Sequence, residues 1–471
     1  MAQYTKHPVA APPTAPPRES TGHLLLRGYV ILVLFLVFAH SAVYNLLGED
    51  GAAAVIGVFL LATLGIGVPL LARSHPQPFA WRRLPWAAVG YTALALLSLA
   101  WSQWRSATII TWLLLATVTV TGLFVAHVLT WREIVRALAS AFKWILGLSL
   151  ALELWVSLVI RGPLLPNFFD RPEGKVDAQW YWVRDNLFDG GRIQGIVGNA
   201  NVLGIISLFA LLTFGVLFAA RARWRTTLAL WMLLAAYFLY RTSSATVLVC
   251  AAAAAVVLAA ALLMRRAEAP RSRRGLYALF LGGGALAAVA FWVFQAQLFA
   301  LVGRESDLTG RSDKIWAKVL ERAAEHPIFG NGFSSPWVPT DPAFDRWIED
   351  HGITVFHAHN MWLDVLMQLG AVGVVAMAIA YGSLLWRSWF FAVDRPRWDL
   401  RGDREFSPLS LLPVLFTVVL LVQGLTESTP IMLWGWLLLI LLSFKLKSTP
   451  LIGVGEREQV IENGRPPRRV P

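Results

Sequence analysis

Two histidines, His357 and His359, stand two residues apart and are followed by Asn360 and an apolar run in the segment HAHNMWLDVLMQLGAVG. An imidazole in that place sits where water meets lipid. Asn360 is of a type that caps helices, so the run beyond it is expected to be a helix with His359 at its mouth. The helix macrodipole there works against a cationic ring and favours a neutral imidazole able to accept a proton. General-base chemistry, worth about 10²–10⁴-fold in rate, is one reading of His359. Two others stand beside it: an interfacial histidine bonded to loop carbonyls, and a metal pair made by the His-x-His. No third ligand lies at a recognisable spacing, so no metal is expected.

Three arginines add a second kind of chemistry: Arg192 in GRIQG, Arg241 in YRTSSA and Arg311 in LTGRSDKIW. Each falls in a turn where cations are otherwise scarce. Arginine keeps its charge near apolar surroundings and presents a planar fork matched to phosphate. Arg241 also suits a helix C-terminus, where a cation is welcome on its own account. Arg311 opens an amphipathic helix, a poor place for a cation unless an anion is near. Together the three suggest an anionic ligand, a pyrophosphate. The sequence has no Asp-x-Asp, no His-Glu-x-x-His and no GxxxxGK[ST] loop, so nucleotide-driven or metal-dependent transfer finds no support and no cofactor is expected. Glu153, inside an apolar run, is functional by default or pairs with a polar group of another helix. Glu427, beside the turn TESTP, reads as a solvated carboxylate. Cys250 reads as a small core residue.

These residues need a scaffold, and composition supplies it. The chain has 471 residues, is 56% hydrophobic and carries 22 Trp, and apolar windows of spanning length recur along it. The expected fold is an all-α polytopic membrane protein with about 12 transmembrane helices. The windows lie near 24–47, 52–72, 85–100, 107–129, 139–160, 197–219, 226–240, 243–264, 275–302, 360–386, 407–425 and 430–446. Residues 1–22 are Pro- and Ala-rich and read as a disordered tail, 23–446 as the membrane domain, and 447–471 as a basic tail. The net charge of +12 could suggest nucleic acid. Its distribution does not, because the basic residues cluster in alternate turns (Arg82 and Arg83, Arg132 and Arg136, Arg221 to Arg225, Arg265 to Arg274). That is the positive-inside pattern, which puts both termini inside.

Two long loops, 161–196 and 303–358, then fall outside, where function concentrates. The second holds a candidate helix with Ile315, Trp316, Val319, Leu320 and Ala323 on one face and Lys314, Lys318, Glu321 and Arg322 on the other. It is expected either to lie on the membrane or to pack over the bundle. Pro327 ends it, and Gly330-Asn331-Gly332 turns the chain.

The segments HAHNMWL and LGAVG, preceded by LTGRSDKIWAKVL and HPIFGNGF and further upstream by GRIQGIVGNANVLG, resemble the O-antigen ligase/O-antigen polymerase superfamily of bacterial envelope glycosyltransferases. The resemblance covers the central and C-terminal half in motifs and the whole chain in layout. It implies a polysaccharide donor carried on undecaprenyl pyrophosphate, a lipid A-core acceptor, and transfer at the periplasmic face of the inner membrane without metal or nucleotide. His359 matches the family's essential histidine, with His357 as the other candidate. Arg311 matches the arginine of the large loop, and Arg241 or Arg192 the arginine upstream. Gln368 stands where relatives often carry an acid. A polymerase, a protein O-oligosaccharyltransferase and, from another class, a lipid-linked sugar transporter are the competing readings. Against a transporter, no repeated halves are visible and the polar residues gather in the outer loops.

Overall fold

In the computed structural model about 75% of the chain is helical. The structure describes residues 21–72, 79–169, 176–222, 224–267, 269–301, 311–350, 352–394, 397–399, 402–403, 406–449 and 452. Among them are thirteen α-helices: α1 (Thr21–Phe38), α2 (His40–Ala72), α3 (Trp86–Leu97), α4 (Arg105–Val128), α5 (Trp131–Trp155), α6 (Ala200–Ala219), α7 (Arg225–Arg241), α8 (Ala245–Arg266), α9 (Pro270–Leu301), α10 (Ala317–Glu325), α11 (Met361–Val393), α12 (Leu412–Gln423) and α13 (Leu433–Ser448). The first apolar window spans α1 and the start of α2, and each of the others falls on one helix. Among the described residues, seven helical runs are long and apolar enough to cross a membrane: Thr21–Phe38, His40–Ala72, Arg105–Val128, Trp131–Ile160, Ala200–Ala219, Ala245–Arg266 and Met361–Val393. The protein is therefore an all-α polytopic membrane protein. The tails 1–22 and 447–471 lie almost entirely outside the described residues.

Helix α2 is broken at Gly48 (φ 74°), between the first two apolar windows. At the centre of the bundle, α13 is buried along nearly its whole length. It packs on α4 where Gly122 leaves room for Ile440, and Trp436 Nε1 donates to Thr119 Oγ1 at 2.8 Å. Helix α6 packs on α7, α12 on α8, and α1 on α5.

The contacts sort the turns into two ends. At one, Arg83 Nη1 donates to Ser448 O (2.8 Å), Trp131 Nε1 to Thr449 O (2.8 Å) and Arg265 Nε to Ala392 O (2.7 Å). At the other, Gln103 N donates to Asn331 O (3.0 Å), Asn167 N to Asn45 O (3.0 Å) and Met361 N to Gly424 O (2.9 Å). The turns of Arg83, Arg132 and Arg265 share the first end, and the described parts of the two long loops share the second.

At that second end α11 is interrupted at Gly370 (φ 62°, ψ −163°). A break leaves backbone groups without helical partners. The segment after α10 supplies them. Asn331 N and Gly332 N donate to Met367 O (3.0 Å) and Gln368 O (2.9 Å), while Ala371 N and Val372 N donate to Pro327 O (2.9 Å) and Ile328 O (3.1 Å). HPIFGNGF and LGAVG are thus two halves of one joint, and it fixes the outer loop against the helix whose mouth the histidines occupy.

Candidate functional site at the mouth of α11

Asn360 caps α11 as expected, its Oδ1 accepting from Trp362 N (3.0 Å) and Leu363 N (3.3 Å). Just before the cap, His359 takes a left-handed backbone (φ 51°), unusual for a residue with a side chain. Its Nδ1 lies 3.0 Å from Glu427 Oε2. A carboxylate can only accept, so Nδ1 carries the hydrogen and the neutral ring keeps its lone pair on Nε2. His357 has the opposite arrangement. The backbone N–H of His359 donates to His357 Nδ1 at 3.1 Å, which leaves the hydrogen of that ring on Nε2. The two rings lie 4.0 Å apart, centre to centre. One is set up as a proton acceptor and its neighbour as a donor.

Sequence reasoning read Glu427 as solvated, but it is buried against His359. Sixty-eight residues separate the two, so no local spacing could signal the pair. Glu427 also supplies the third ligand type that the His-x-His lacked: ligand atoms of His357, His359 and Glu427 all lie within 4.8 Å of one another. The tautomers argue against a metal there. Coordination by His357 Nε2 would put a hydrogen on Nδ1, facing the N–H of His359, and coordination by Nδ1 would cost that hydrogen bond.

A carboxylate one turn into α11 holds this mouth in shape. Asp364 is fully buried and accepts from Trp337 Nε1 (2.9 Å), Gln368 Nε2 (2.8 Å) and Ala358 N (3.2 Å). It ties the outer loop to the peptide between the histidines. Gln368 spans from Asp364 to the backbone N–H of Ser334. It is a link in the scaffold.

Helix α10 packs on α11, burying Ile315, Val319 and Ala323 as the periodicity predicts. Leu320, expected on the same face, is 46% exposed. The chain enters α10 through a wider π turn, Arg311–Trp316, which shifts the register of the buried stripe. Arg322 stacks 3.5 Å above the Trp347 ring, and burial holds its guanidinium below the ordinary value, with Glu325 opposing. The backbone of Arg311 opens the π turn, and its side chain lies outside the described residues, as do residues 302–310.

Arg192 and Arg241 meet in a second cluster at the same end. Arg192 Nε donates to Thr242 O (2.8 Å) and its Nη2 to Asn201 Oδ1 (2.6 Å). The Arg241 fork reaches Leu187 O (2.9 Å), Asn186 O (2.6 Å) and Tyr237 OH (3.0 Å). Arg241 thus closes the 186–191 loop onto the end of α7. Thr246 Oγ1 lies 3.1 Å from Thr426 Oγ1, which joins this cluster to the turn that carries Glu427.

Glu153 anchors the loop bearing Arg192. Its Oε1 accepts from Gln194 N (2.9 Å) and Gly195 N (2.8 Å). A neutral isostere keeps that acceptor, whereas an apolar one strands two buried N–H groups. Glu153→Gln is therefore expected to stay folded and active. Glu153→Leu is expected to lose about 2–4 kcal/mol of stability by thermal unfolding in detergent, on the usual cost of two unsatisfied donors. Equal stabilities would remove Glu153 as the anchor.

The family model described as O-antigen ligase matches residues 228–378. That match supports membership in the O-antigen ligase/polymerase superfamily. A search of curated proteins gives no match. The ligase-family match runs from α7 to the middle of α11 and takes in Arg241, Arg311, His357, His359 and Asn360. Arg192, Glu153 and Glu427 lie outside it. Residues that meet the candidate site thus come from both sides of the matched region.

Proposed function

We propose that this protein is an O-antigen ligase. It transfers a polysaccharide from undecaprenyl pyrophosphate to the lipid A-core oligosaccharide, at the periplasmic face of the bacterial inner membrane. The observation that carries this reading is the His359–Glu427 pair, which leaves an imidazole lone pair on Nε2 beside the family's loop. The acceptor hydroxyl loses its proton to Nε2 as its oxygen bonds to the anomeric carbon. The bond from that carbon to the pyrophosphate oxygen breaks, and its electron pair leaves with undecaprenyl pyrophosphate. One direct displacement inverts the anomeric centre. Arg311, with Arg192 or Arg241, neutralises the departing charge, so neither metal nor acid need assist it. The alternation of basic turns supports the orientation.

A deletion strain tests the reaction. Core lipopolysaccharide without O-antigen, alongside long lipid-linked polymer, is the expected phenotype. O-antigen reduced to a single repeat on an otherwise capped core would mean a polymerase instead. With purified enzyme, lipid-linked donor and core acceptor, activity is expected to survive EDTA. Loss in EDTA with recovery on adding one divalent cation would overturn the metal-free step. Arg311→Ala is expected to raise KM for the donor and lower kcat, because its charge engages pyrophosphate before and during cleavage. Arg311→Lys is expected to fail as well, since a point charge does not reproduce the fork.

A further inference from the structure

At the end away from the histidines, a cleft opens between the last turn of α8 and the first turns of α9. Leu263, Leu276 and Leu279 line its apolar part, and Arg266, Ser272 and Gly275 its polar part. Helix α9 packs on α8 here, and Leu263 and Leu279 of the cleft are themselves exposed, as are Leu281 and Leu286 further along α9. Five arginines surround the turn, and they divide into two groups. Arg265 is bound to Ala392 O and Ser410 Oγ (2.7 and 2.8 Å), and Arg273 to Asp394 Oδ1 and Val393 O (2.8 and 3.1 Å). These two, with the Trp389 Nε1 to Tyr277 OH bond of 2.9 Å, make a fixed rim. Arg266, Arg271 and Arg274 are exposed and make no hydrogen bond or ion pair with the described residues.

We propose that this cleft binds the headgroup and upper acyl chains of an anionic phospholipid, which wedges α9 against α8. The positive-inside rule accounts for arginines in this turn but not for a cleft with apolar walls leading to one of them. Leu263 lies about one turn inward of Arg266, and Leu276 and Leu279 lie one to two turns inward of Ser272, so the leucines meet acyl carbons where the guanidinium and hydroxyl meet phosphate. The occupant must carry both parts. A soluble phosphate would leave the leucines bare, and a zwitterionic lipid would set its choline cation beside Arg271 and Arg274.

The full chain, purified in mild detergent, would be examined by native mass spectrometry with added phosphatidylglycerol or phosphatidylcholine, and by thermal unfolding with the same lipids or inorganic phosphate. Phosphatidylglycerol should be retained and should raise the unfolding temperature, while phosphatidylcholine and phosphate should do neither. Arg266→Ala should reduce retention about fivefold, the weight of one basic residue near an anionic membrane lipid, and Arg266→Lys should restore most of it. Leu276→Ser should lower retention with all three arginines intact. Equal retention of both lipids, stabilisation by phosphate alone, or an Arg266→Ala protein indistinguishable from wild type would each overturn the proposal. Arg266 is exposed and makes no hydrogen bond or ion pair with the described residues, so its removal leaves a folded protein to measure.

Discussion

Replacing His359 with alanine is expected to lower kcat of in vitro ligation by about 10²–10⁴-fold while expression and donor binding stay near normal. The ring is required to remove a proton, not to hold pyrophosphate. Glu427→Gln tests the partner of the base. An amide can still accept from Nδ1–H, but it can equally turn its NH₂ to the ring and hold the wrong tautomer. It also offers no charge to the imidazolium formed in the transition state. Replacing an orienting carboxylate by its amide can cost up to about 10⁴-fold in a serine-protease triad. A loss on the order of 10²-fold in kcat is expected here, with KM for the donor little changed. His357→Ala should be milder, because it removes a bond to the His359 backbone and leaves the Nδ1–Glu427 contact in place. A dead His357→Ala beside an active His359→Ala would move the base by two residues. If both variants were active, histidine base catalysis would be excluded. A fully active Glu427→Gln beside a dead His359→Ala would leave the base without its carboxylate partner.

What could be read from the sequence was what short-range patterns encode. Apolar runs declared the helices, and Asn360 declared the start of α11. The amphipathic stripe of α10 was legible through Ile315, Val319 and Ala323 and failed at Leu320, because a π turn changes the angle per residue and leaves no mark in composition. Partnerships across the fold were not legible. Glu427 looks like any acid in a polar turn until α12 and the 424–432 turn bring it against His359. The arginines were visible as misplaced cations, but nothing local foretold that Arg241 would close its own loop through backbone carbonyls. Glu153 was rightly suspicious as a buried acid. Its partners turned out to be two peptide N–H groups, which every sequence has and none advertises.

The two motifs flanking the site, HPIFGNGF and LGAVG, form one joint, and the second large effect is expected there. Gly370 has φ 62°, and a Cβ on it would stand 2.3 Å from the carbonyl carbon of Ile328. The left-handed backbone alone costs a substituted residue about 1–2 kcal/mol. The collision is with main chain, so no side chain can rotate away to relieve it. Gly370→Ala must push Pro327–Gly332 out of the break, releasing four backbone hydrogen bonds in a setting with little water to replace them. A loss of several kcal/mol of stability is expected, together with most of the transfer activity, because the same joint fixes α10 against α11, whose N-terminus follows His359. Gly330→Ala meets Gln368 backbone at 2.4 Å from the other side of the joint and should behave alike. The two losses should be far from additive, since either one opens the joint. Gly382→Ala is the control. It lies on the same helix with nothing within 4 Å of the added methyl, so it should be neutral or slightly stabilising. Thermal unfolding in detergent and hydrogen exchange of the 327–332 amides would compare the three. If Gly370→Ala unfolded alongside Gly382→Ala with those amides still protected, the break in α11 would carry no weight in holding the site together.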